Sequence, residues 1–165
     1  WMAKHGIPRR DISQAIYQWH NPDGDPFEIR EPETDEERRL FDLGVGLYIG
    51  EGTKKNPYAV LLANSDPRVI RAFMRFLYEI CGVESNAVSA QLNIFDDVDL
   101  EAAQTHWEEV TRLPRSQFYK PVVRSGRSGT YLNKSEYGTL TVSVNNTKLR
   151  EIILRWCQEY LSKYG

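Results

Sequence analysis

One acidic residue of the sequence stands where a helix is expected to end. Glu51 lies between Gly50 and Gly52, after a stretch that is typical of a helix. A carboxylate at a helix C-terminus faces the negative end of the helix dipole, which is unfavourable unless a cation is close. If two identical helices meet there, a divalent ion such as Mg²⁺ relieves the repulsion between the carboxylates most simply. Glu51 is therefore the first candidate for a metal-binding residue.

The helix that carries Glu51 is predicted to span about residues 35–50, because Thr34 and Glu37 form a capping box at its start. It contains three glycines, each of which costs about 1 kcal/mol relative to alanine in a helix interior. On one face, small and apolar residues form a strip that a second helix can approach closely. We expect this strip to be a homodimer interface. Its members are Leu43, Gly46, Leu47 and Gly50.

Two other interpretations of this stretch stay open. A nucleotide-binding glycine loop requires a strand before it and a helix after it, whereas residues 35–39 are charged and helix-forming. An ordinary core helix capped by Gly52 is the second alternative. That alternative leaves the three glycines and the position of Glu51 unexplained.

Residues 43–52, with the sequence LGVGLYIGEG, resemble the signature motif of the LAGLIDADG homing endonucleases. Residues 45–52 follow the motif from its first alanine to its last glycine. The departures are Ile49, in place of a non-catalytic aspartate, and Gly44, in place of the leading leucine. Glu51 stands where that family has its catalytic, metal-binding acid.

The resemblance covers about residues 36–163 and implies an α+β fold of the order αββαββα, with an antiparallel sheet that forms a saddle over DNA. Residues 100–111 and the region near residue 120 are then insertions. Because only one glycine helix is present, the resemblance implies a homodimer that cleaves double-stranded DNA with Mg²⁺. Lys120 is the first candidate for a basic catalytic residue, Lys54 the second, and Gln117 a candidate for orienting water.

Two further functions remain compatible with the same residues. The first is a catalytically inactive, sequence-specific DNA-binding regulator of the same fold, which glutamate in place of the commoner aspartate favours. The second is a protein-interaction domain whose glycine helix only dimerises. DNA affinity that falls with added salt separates the DNA-binding functions from the interaction domain.

The distribution of charge favours a nucleic-acid partner more than the net charge of −2 does. No acidic residue occurs in residues 110–135, whereas six basic residues do. Uncompensated positive charge of this kind predicts a phosphate-binding patch. The basic residues are Arg112, Arg115, Lys120, Arg124, Arg127 and Lys134.

Strands are predicted at residues 58–64, 88–95, 115–124 and 139–145, and further helices at about 67–81, 100–111 and 148–162. Two of these strands alternate apolar residues with uncharged polar residues, which suit the reading of base edges in a groove. The alternative is the wet face of an antiparallel sheet that binds nothing. The outward residues proposed for DNA contact are Ser89, Gln91, Asn93, Thr139, Thr141 and Ser143.

The first 33 residues are predicted to be a helical segment and a linker that precede the main domain of residues 34–165. A short helix, a turn at Gly6 and a second helix starting near Pro8 resemble the latter part of a helix-turn-helix. Arg9 and Arg10 are then candidate DNA contacts. Residues 21–33 are rich in proline and acidic residues and read as the linker.

Composition limits the remaining classes. No apolar run approaches the roughly 18 residues of a transmembrane helix, and nothing resembles a signal peptide. Cys81 and Cys157 fall on apolar helix faces and indicate buried thiols in a reducing compartment. The histidines show no zinc-ligand spacing. We therefore expect no membrane partner and a cytoplasmic location, with the nucleoid as the site in a prokaryote.

Overall fold

The computed structural model describes residues 12–125 and 135–164. These ranges contain five α-helices and four β-strands, and α3 continues directly into a π-helical segment, Phe76–Ile80. The elements are, in chain order, α1 (Ile12–His20), α2 (Asp35–Glu51), β1 (Val60–Asn64), α3 (Pro67–Arg75), β2 (Val88–Phe95), α4 (Leu100–Thr111), β3 (Val122–Arg124), β4 (Thr139–Val144) and α5 (Thr147–Tyr164). The α+β class is confirmed. No helix of the described ranges is both long and apolar enough to cross a membrane.

The sheet has the order β1-β4-β2-β3 and is mixed rather than antiparallel throughout. β4 pairs antiparallel with β1 and with β2, whereas β3 pairs parallel with β2. The cause is α4, which carries the chain back along the helical layer so that β3 starts at the same end as β2. The expected antiparallel saddle is therefore wrong at this edge.

The strand predicted for residues 115–124 is also wrong over most of its length. Arg115–Gln117 form a short 3-10 turn that begins after Pro114, and β3 starts only after Pro121. A proline has no N–H for a sheet hydrogen bond, so the two prolines confine the pairing to a three-residue strand and a single bridge at Phe118.

Alternation along β2 and β4 places one face of the sheet in the core. In β2 every second residue is buried and the residues between them are half-buried. β4 follows the same pattern up to Val142. The apolar stripes of α2, α3, α4 and α5 cover this inner face. The sheet is left with one outer face that carries its polar side chains.

Between α2 and α3 the resemblance implied two strands, and the structure contains one strand and a bridge. Gly52 forms an isolated antiparallel bridge with Leu62, and the N–H of Thr53 donates to the carbonyl of Leu61 at 2.9 Å. The first of the two expected strands is thus reduced to a single bridged residue beside β1.

Residues 26–30, which were predicted to belong to a linker, lie against the domain. The N–H of Glu28 donates to the carbonyl of Gly82 at 3.1 Å, and Phe27 is buried. Gly82 has a φ of +60°, and a Cβ there would lie 2.0 Å from the Glu28 carbonyl oxygen. A glycine is therefore required where the segment crosses the turn after α3.

α1 is held to the domain by polar contacts, and its apolar side faces solvent. The Tyr17 hydroxyl donates to Asp25 at 2.7 Å and accepts from the Asn146 amide at 2.9 Å. Ile16 and Trp19 are 54% and 77% exposed. Packing of the apolar side on the main domain is thus excluded for these two residues, and Arg9 and Arg10 lie outside the described residues.

Candidate functional site

The glycines of α2 divide between two faces with different surroundings. Gly44 is buried, and a Cβ built on it would lie 2.2 Å from ring atoms of Phe76. A Cβ on Gly46 or Gly50 would meet nothing within 4 Å. Close packing inside the chain therefore explains the first glycine and leaves the other two unexplained.

The face that carries Gly46 and Gly50 is uncovered in the part of the chain that the structure describes. Both glycines are exposed, Leu43 is 49% exposed, and Leu47 is half-buried. The opposite side of α2 contacts the core through Val45 and buried neighbours, as predicted. We call the four uncovered or half-covered residues the α2 strip: Leu43, Gly46, Leu47 and Gly50.

Glu51 is the last residue of α2 and is exposed. Gly52 follows it and donates its N–H to the Tyr48 carbonyl at 3.0 Å. A Cβ on Gly52 would lie 2.4 Å from the Tyr48 ring, so this position accepts no side chain. The carboxylate therefore projects from the end of the α2 strip, on a helix end whose backbone geometry is closely constrained.

A cation already lies at the end of α2, which corrects one step of the sequence argument. The Lys54 ammonium donates to the Ile49 carbonyl at 2.5 Å and lies 5.6 Å from the centroid of the Tyr48 ring. It therefore offsets the negative end of the helix dipole without a metal ion. Of the predicted basic catalytic residues, Lys54 is the one that the structure brings to the helix that carries Glu51.

Arg150, in the first turns of α5, is a member of this region that sequence reasoning missed. Its Nη2 donates to the Lys54 carbonyl at 2.6 Å, and its Nε is buried and has no hydrogen-bond partner among the residues that the structure describes. Burial raises the pKa of the Tyr48 hydroxyl, and the positive charge of Arg150 opposes that shift. No local pattern marks Arg150, because the contact joins residues 96 positions apart.

Within the described ranges, no group of three or more histidine, cysteine, aspartate or glutamate residues is placed to hold a metal ion. Each chain offers one exposed carboxylate at the end of α2, from Glu51. Carboxylate oxygens are the ligands that Mg²⁺ prefers, and it usually keeps several waters beside one or two of them. The residues therefore fit Mg²⁺ only if two chains place their Glu51 side chains together.

Lys120 and Gln117 lie at the opposite edge of the sheet from Glu51. One row of paired residues runs across the sheet from the residue after Glu51 to the residue after Gln117: Gly52, Leu62, Val142, Ala90 and Phe118. This row spans four inter-strand spacings of about 4.8 Å, or roughly 19 Å along the sheet. Within one chain, neither residue can act on a phosphate held at Glu51.

The Gln117 amide also has a different task from the predicted one. Its Nε2 donates to the carbonyls of Ser85 and Val88, each at 2.6 Å. Both donors are thus used to fix the turn that leads into β2. Gln117 is a structural residue at this position and has no amide hydrogen left to orient a water.

Among the described residues of the basic segment, Arg115 has its charge compensated. Arg115 forms ion pairs with Glu101 at 2.6 Å and with Glu108 at 2.7 Å, both from α4. These hydrogen bonds, that to Glu101 first, raise the pKa of Arg115. The prediction of six uncompensated charges is therefore wrong at Arg115.

Two other basic residues of the segment, Lys120 and Arg124, lie at or next to β3, the edge strand of the sheet. Arg112 ends α4 in the left-handed conformation, with a φ of 57°, and is exposed. Lys120 and Arg124 are exposed as well, and Arg124 is paired in register with Phe95 of β2. Arg127 and Lys134 lie outside the described residues.

The outer face of the sheet carries most of the predicted base-reading residues. Gln91, Asn93, Thr139 and Thr141 are half-buried there, as the alternation predicted, and the Asn93 amide donates to the Thr141 hydroxyl at 3.4 Å. Ser143 is an exception, because it is only 6% exposed. A residue this buried cannot reach a base edge.

The hydroxyls of Ser143 and Tyr119 form hydrogen bonds within the chain. Ser143 donates to the carbonyl of Ser89 at 3.3 Å. Tyr119, which sequence reasoning missed, is 48% exposed, and its hydroxyl accepts from the Asn145 amide at 3.2 Å. The amides of the other half of the outer face are engaged as well, since the Gln91 Nε2 donates to the Lys120 carbonyl at 3.3 Å and the Asn93 amide donates to the Gln91 carbonyl at 3.4 Å. A ligand on this face would have to replace such contacts.

Comparison with known proteins adds no relative to these observations. No known family model matches the chain, and no curated protein and no solved structure matches it.

Proposed function

We propose that this protein is a homodimer that binds double-stranded DNA and that cleaves phosphodiester bonds with Mg²⁺ held by the two Glu51 carboxylates. One observation carries the proposal: the α2 strip is uncovered within the chain and ends at an exposed glutamate. The resemblance of residues 43–52 to the LAGLIDADG motif supports the same pairing.

The energetic argument concerns Gly46 and Gly50. Two glycines in a helix interior cost about 2 kcal/mol relative to alanine. Gly44 allows close contact with Phe76, whereas a Cβ on Gly46 or Gly50 would meet no atom within 4 Å in the part of the chain that the structure describes. Close approach of a second α2 helix is the contact that only glycine permits at both positions.

Twofold pairing brings the two Glu51 side chains together if the helices cross near Gly50. Two carboxylates at that distance repel each other, which favours a divalent cation between them. When bound, Mg²⁺ supplies Lewis-acid stabilisation of phosphate charge and an activated water. Glu51 holds the ion, and Lys54 keeps a positive charge at the same helix end.

DNA binding draws on the outer sheet face and the β3 edge. Half-buried amides and hydroxyls at Gln91, Asn93, Thr139 and Thr141 have the chemistry that reads base edges. Exposed cations occupy the edge farthest from Glu51, where they suit phosphates that flank the centre of the site. Lys120 is thus better placed as a flanking phosphate contact than as a catalytic residue.

A DNA-binding protein that does not cleave is the second candidate. It is favoured by the Lys54 ammonium, which already offsets the helix dipole at Glu51, and by the distance of Lys120 and Gln117 from that end. In this candidate the glutamates need no metal ion, and the paired helices serve only to align two sheet faces on DNA.

Selection of bound DNA from a random pool, followed by incubation with Mg²⁺, separates the candidates. Cleavage predicts a palindromic site that wild-type protein nicks and that Glu51→Gln binds with unchanged affinity but does not nick. Glu159→Gln, an exposed glutamate on α5, is the matched control and is expected to nick normally.

Two other outcomes change the conclusion. Binding of a palindromic site without nicking by the wild type supports the second candidate. Dimerisation with no DNA affinity, or with affinity that does not fall as salt is added, overturns both DNA-binding candidates and supports a protein-interaction domain.

A further inference from the structure

The turn after Glu51 is held by one hydrogen bond to α2 and one hydrogen bond from α5. The Lys54 ammonium reaches back to the Ile49 carbonyl of α2 at 2.5 Å, and the Lys54 carbonyl accepts from the Arg150 guanidinium at 2.6 Å. α5 is thereby connected to α2 through one residue. We call these two contacts the Lys54 latch.

The latch acts where a helix is weakest. The last four carbonyls of a helix have no intrahelical partners, so the final turn frays unless other groups bind them. Lys54 binds one of these carbonyls. Because Arg150 holds the backbone of Lys54, the position of this cation is set by α5 and not by a freely moving lysine.

The guanidinium of Arg150 is held at a cost. Its Nε is buried and has no partner among the described residues, and an unpaired buried polar group is unfavourable. Unsatisfied buried groups are rare in native structures, so the position of Arg150 calls for an explanation. The neighbouring functional candidate is Glu51, three residues before Lys54.

We infer that Arg150 is a positioning residue for Glu51, acting through the Lys54 latch to fix the end of α2 at the dimer axis. This inference rests on the proposed function, because it gives the fixed geometry a use in holding Mg²⁺. The inference predicts that α5 affects the alignment of the two Glu51 carboxylates and does not affect the affinity for DNA.

Amide hydrogen exchange tests the latch without reference to cleavage. The N–H groups of Gly52 and Thr53 are bonded to the Tyr48 and Leu61 carbonyls at 3.0 and 2.9 Å, so they report on opening of the helix end. Arg150→Gln is expected to speed their exchange about tenfold, because it removes a hydrogen bond from a charged donor.

Two matched variants control this experiment. Arg155→Gln removes an exposed arginine from the same helix and is expected to leave both amides unchanged. Arg150→Lys keeps the charge and one donor, and is expected to restore slow exchange in part. Unchanged exchange in Arg150→Gln overturns the latch itself.

Cleavage and metal binding test the positioning role. In Arg150→Gln the nicking rate is expected to fall about 100-fold, the cost of a misplacement near 1 Å, while DNA affinity stays within about threefold. Mg²⁺ affinity of the dimer, measured by calorimetry, is expected to weaken with it. Faster exchange with unchanged nicking and Mg²⁺ affinity shows a merely structural latch and overturns the positioning role.

The two proposals fail in different ways. Wild-type protein that neither nicks DNA nor binds Mg²⁺ overturns cleavage in the proposed function, and the positioning role falls with it. The exchange rates of Gly52 and Thr53 still decide whether the latch exists.

Discussion

The two faces of α2 carry the same residue type for different reasons. On the inner face, Gly44 allows the helix to lie against Phe76 at a distance that no other residue permits. On the outer face, a Cβ on Gly46 or Gly50 would meet nothing within 4 Å among the described residues. A glycine that is required by its own fold and a glycine that is not are expected to respond oppositely to substitution.

Substitution of Gly44 is expected to have the largest effect on folding. In Gly44→Ala the new Cβ overlaps Phe76, which is fully buried and has no room to move. The free energy of unfolding, measured by urea denaturation, is expected to fall by about 2–3 kcal/mol despite the better helix propensity of alanine. Gly46→Ala, measured in the same way on dilute monomer, is expected to gain about 1 kcal/mol, because Gly46 lies in the interior of α2. An equal fall in the free energy of unfolding of both variants would contradict the difference between the inner and outer faces of α2.

Gly46→Leu tests the outer face itself. Its side chain enters open space in the monomer, so the free energy of unfolding of the monomer is not expected to fall. Between two closely packed helices the same side chain prevents contact, and the dimer dissociation constant is expected to rise about 30-fold or more. Sedimentation velocity over a concentration series measures it. A dissociation constant equal to that of the wild type would place the interface elsewhere.

Glu51→Gln tests whether two Glu51 carboxylates lie close together at the end of the α2 strip. Two unit charges about 4 Å apart in water repel by about 1 kcal/mol, so without Mg²⁺ the variant is expected to dimerise about fivefold more tightly. With Mg²⁺ present this advantage should vanish, because the ion compensates the wild-type carboxylates. The test is titration calorimetry of dimer dissociation in chelator and in Mg²⁺. An identical dissociation constant for both proteins under both conditions contradicts paired carboxylates.

The hydrogen bonds of Tyr17, which hold α1 to the domain, are expected to make a smaller, pH-dependent contribution to the free energy of unfolding. Burial, followed by the hydrogen bond to Asp25, raises the pKa of Tyr17 to about 12 from an ordinary 10.0. The native state therefore holds the Tyr17 proton more tightly than the unfolded state. The resulting stabilisation of the native state is complete below pH 10 and is lost as pH rises towards 12. Tyr17→Phe is expected to cost about 0.5 kcal/mol at neutral pH and to flatten this alkaline loss.

Denaturation at several alkaline pH values measures the Tyr17 contribution. Tyr58→Phe is the matched control, because Tyr58 is 72% exposed. The control should keep the wild-type pH dependence. An alkaline loss that is the same in Tyr17→Phe and in the wild type would assign it to other groups.

The spacing of apolar residues predicted the helices and strands that have one buried face and one exposed face. The bounds of β2 and α4 agree with those predicted from the sequence, and the capping box of α2 is present. These features depend on neighbours within a few residues. The same local reasoning failed at residues 115–121, which were predicted to belong to a strand that Pro114 and Pro121 prevent.

The site was predictable only where it is local. Glu51 and the strip before it follow from spacing along one helix. Arg115 was misjudged because its partners Glu101 and Glu108 precede the acid-free segment. The burial of Ser143 and the contact from Arg150 to Lys54 depend on cross-strand and cross-helix neighbours, which no local pattern encodes.

Sedimentation equilibrium of the wild-type protein tests the central claim most directly. If the outer face of α2 pairs with its own copy, the average mass should rise with concentration from 19.1 kDa towards twice that value. A mass that stays at 19.1 kDa up to the highest concentration reached would contradict the pairing of the α2 strip and, with it, a shared site at Glu51.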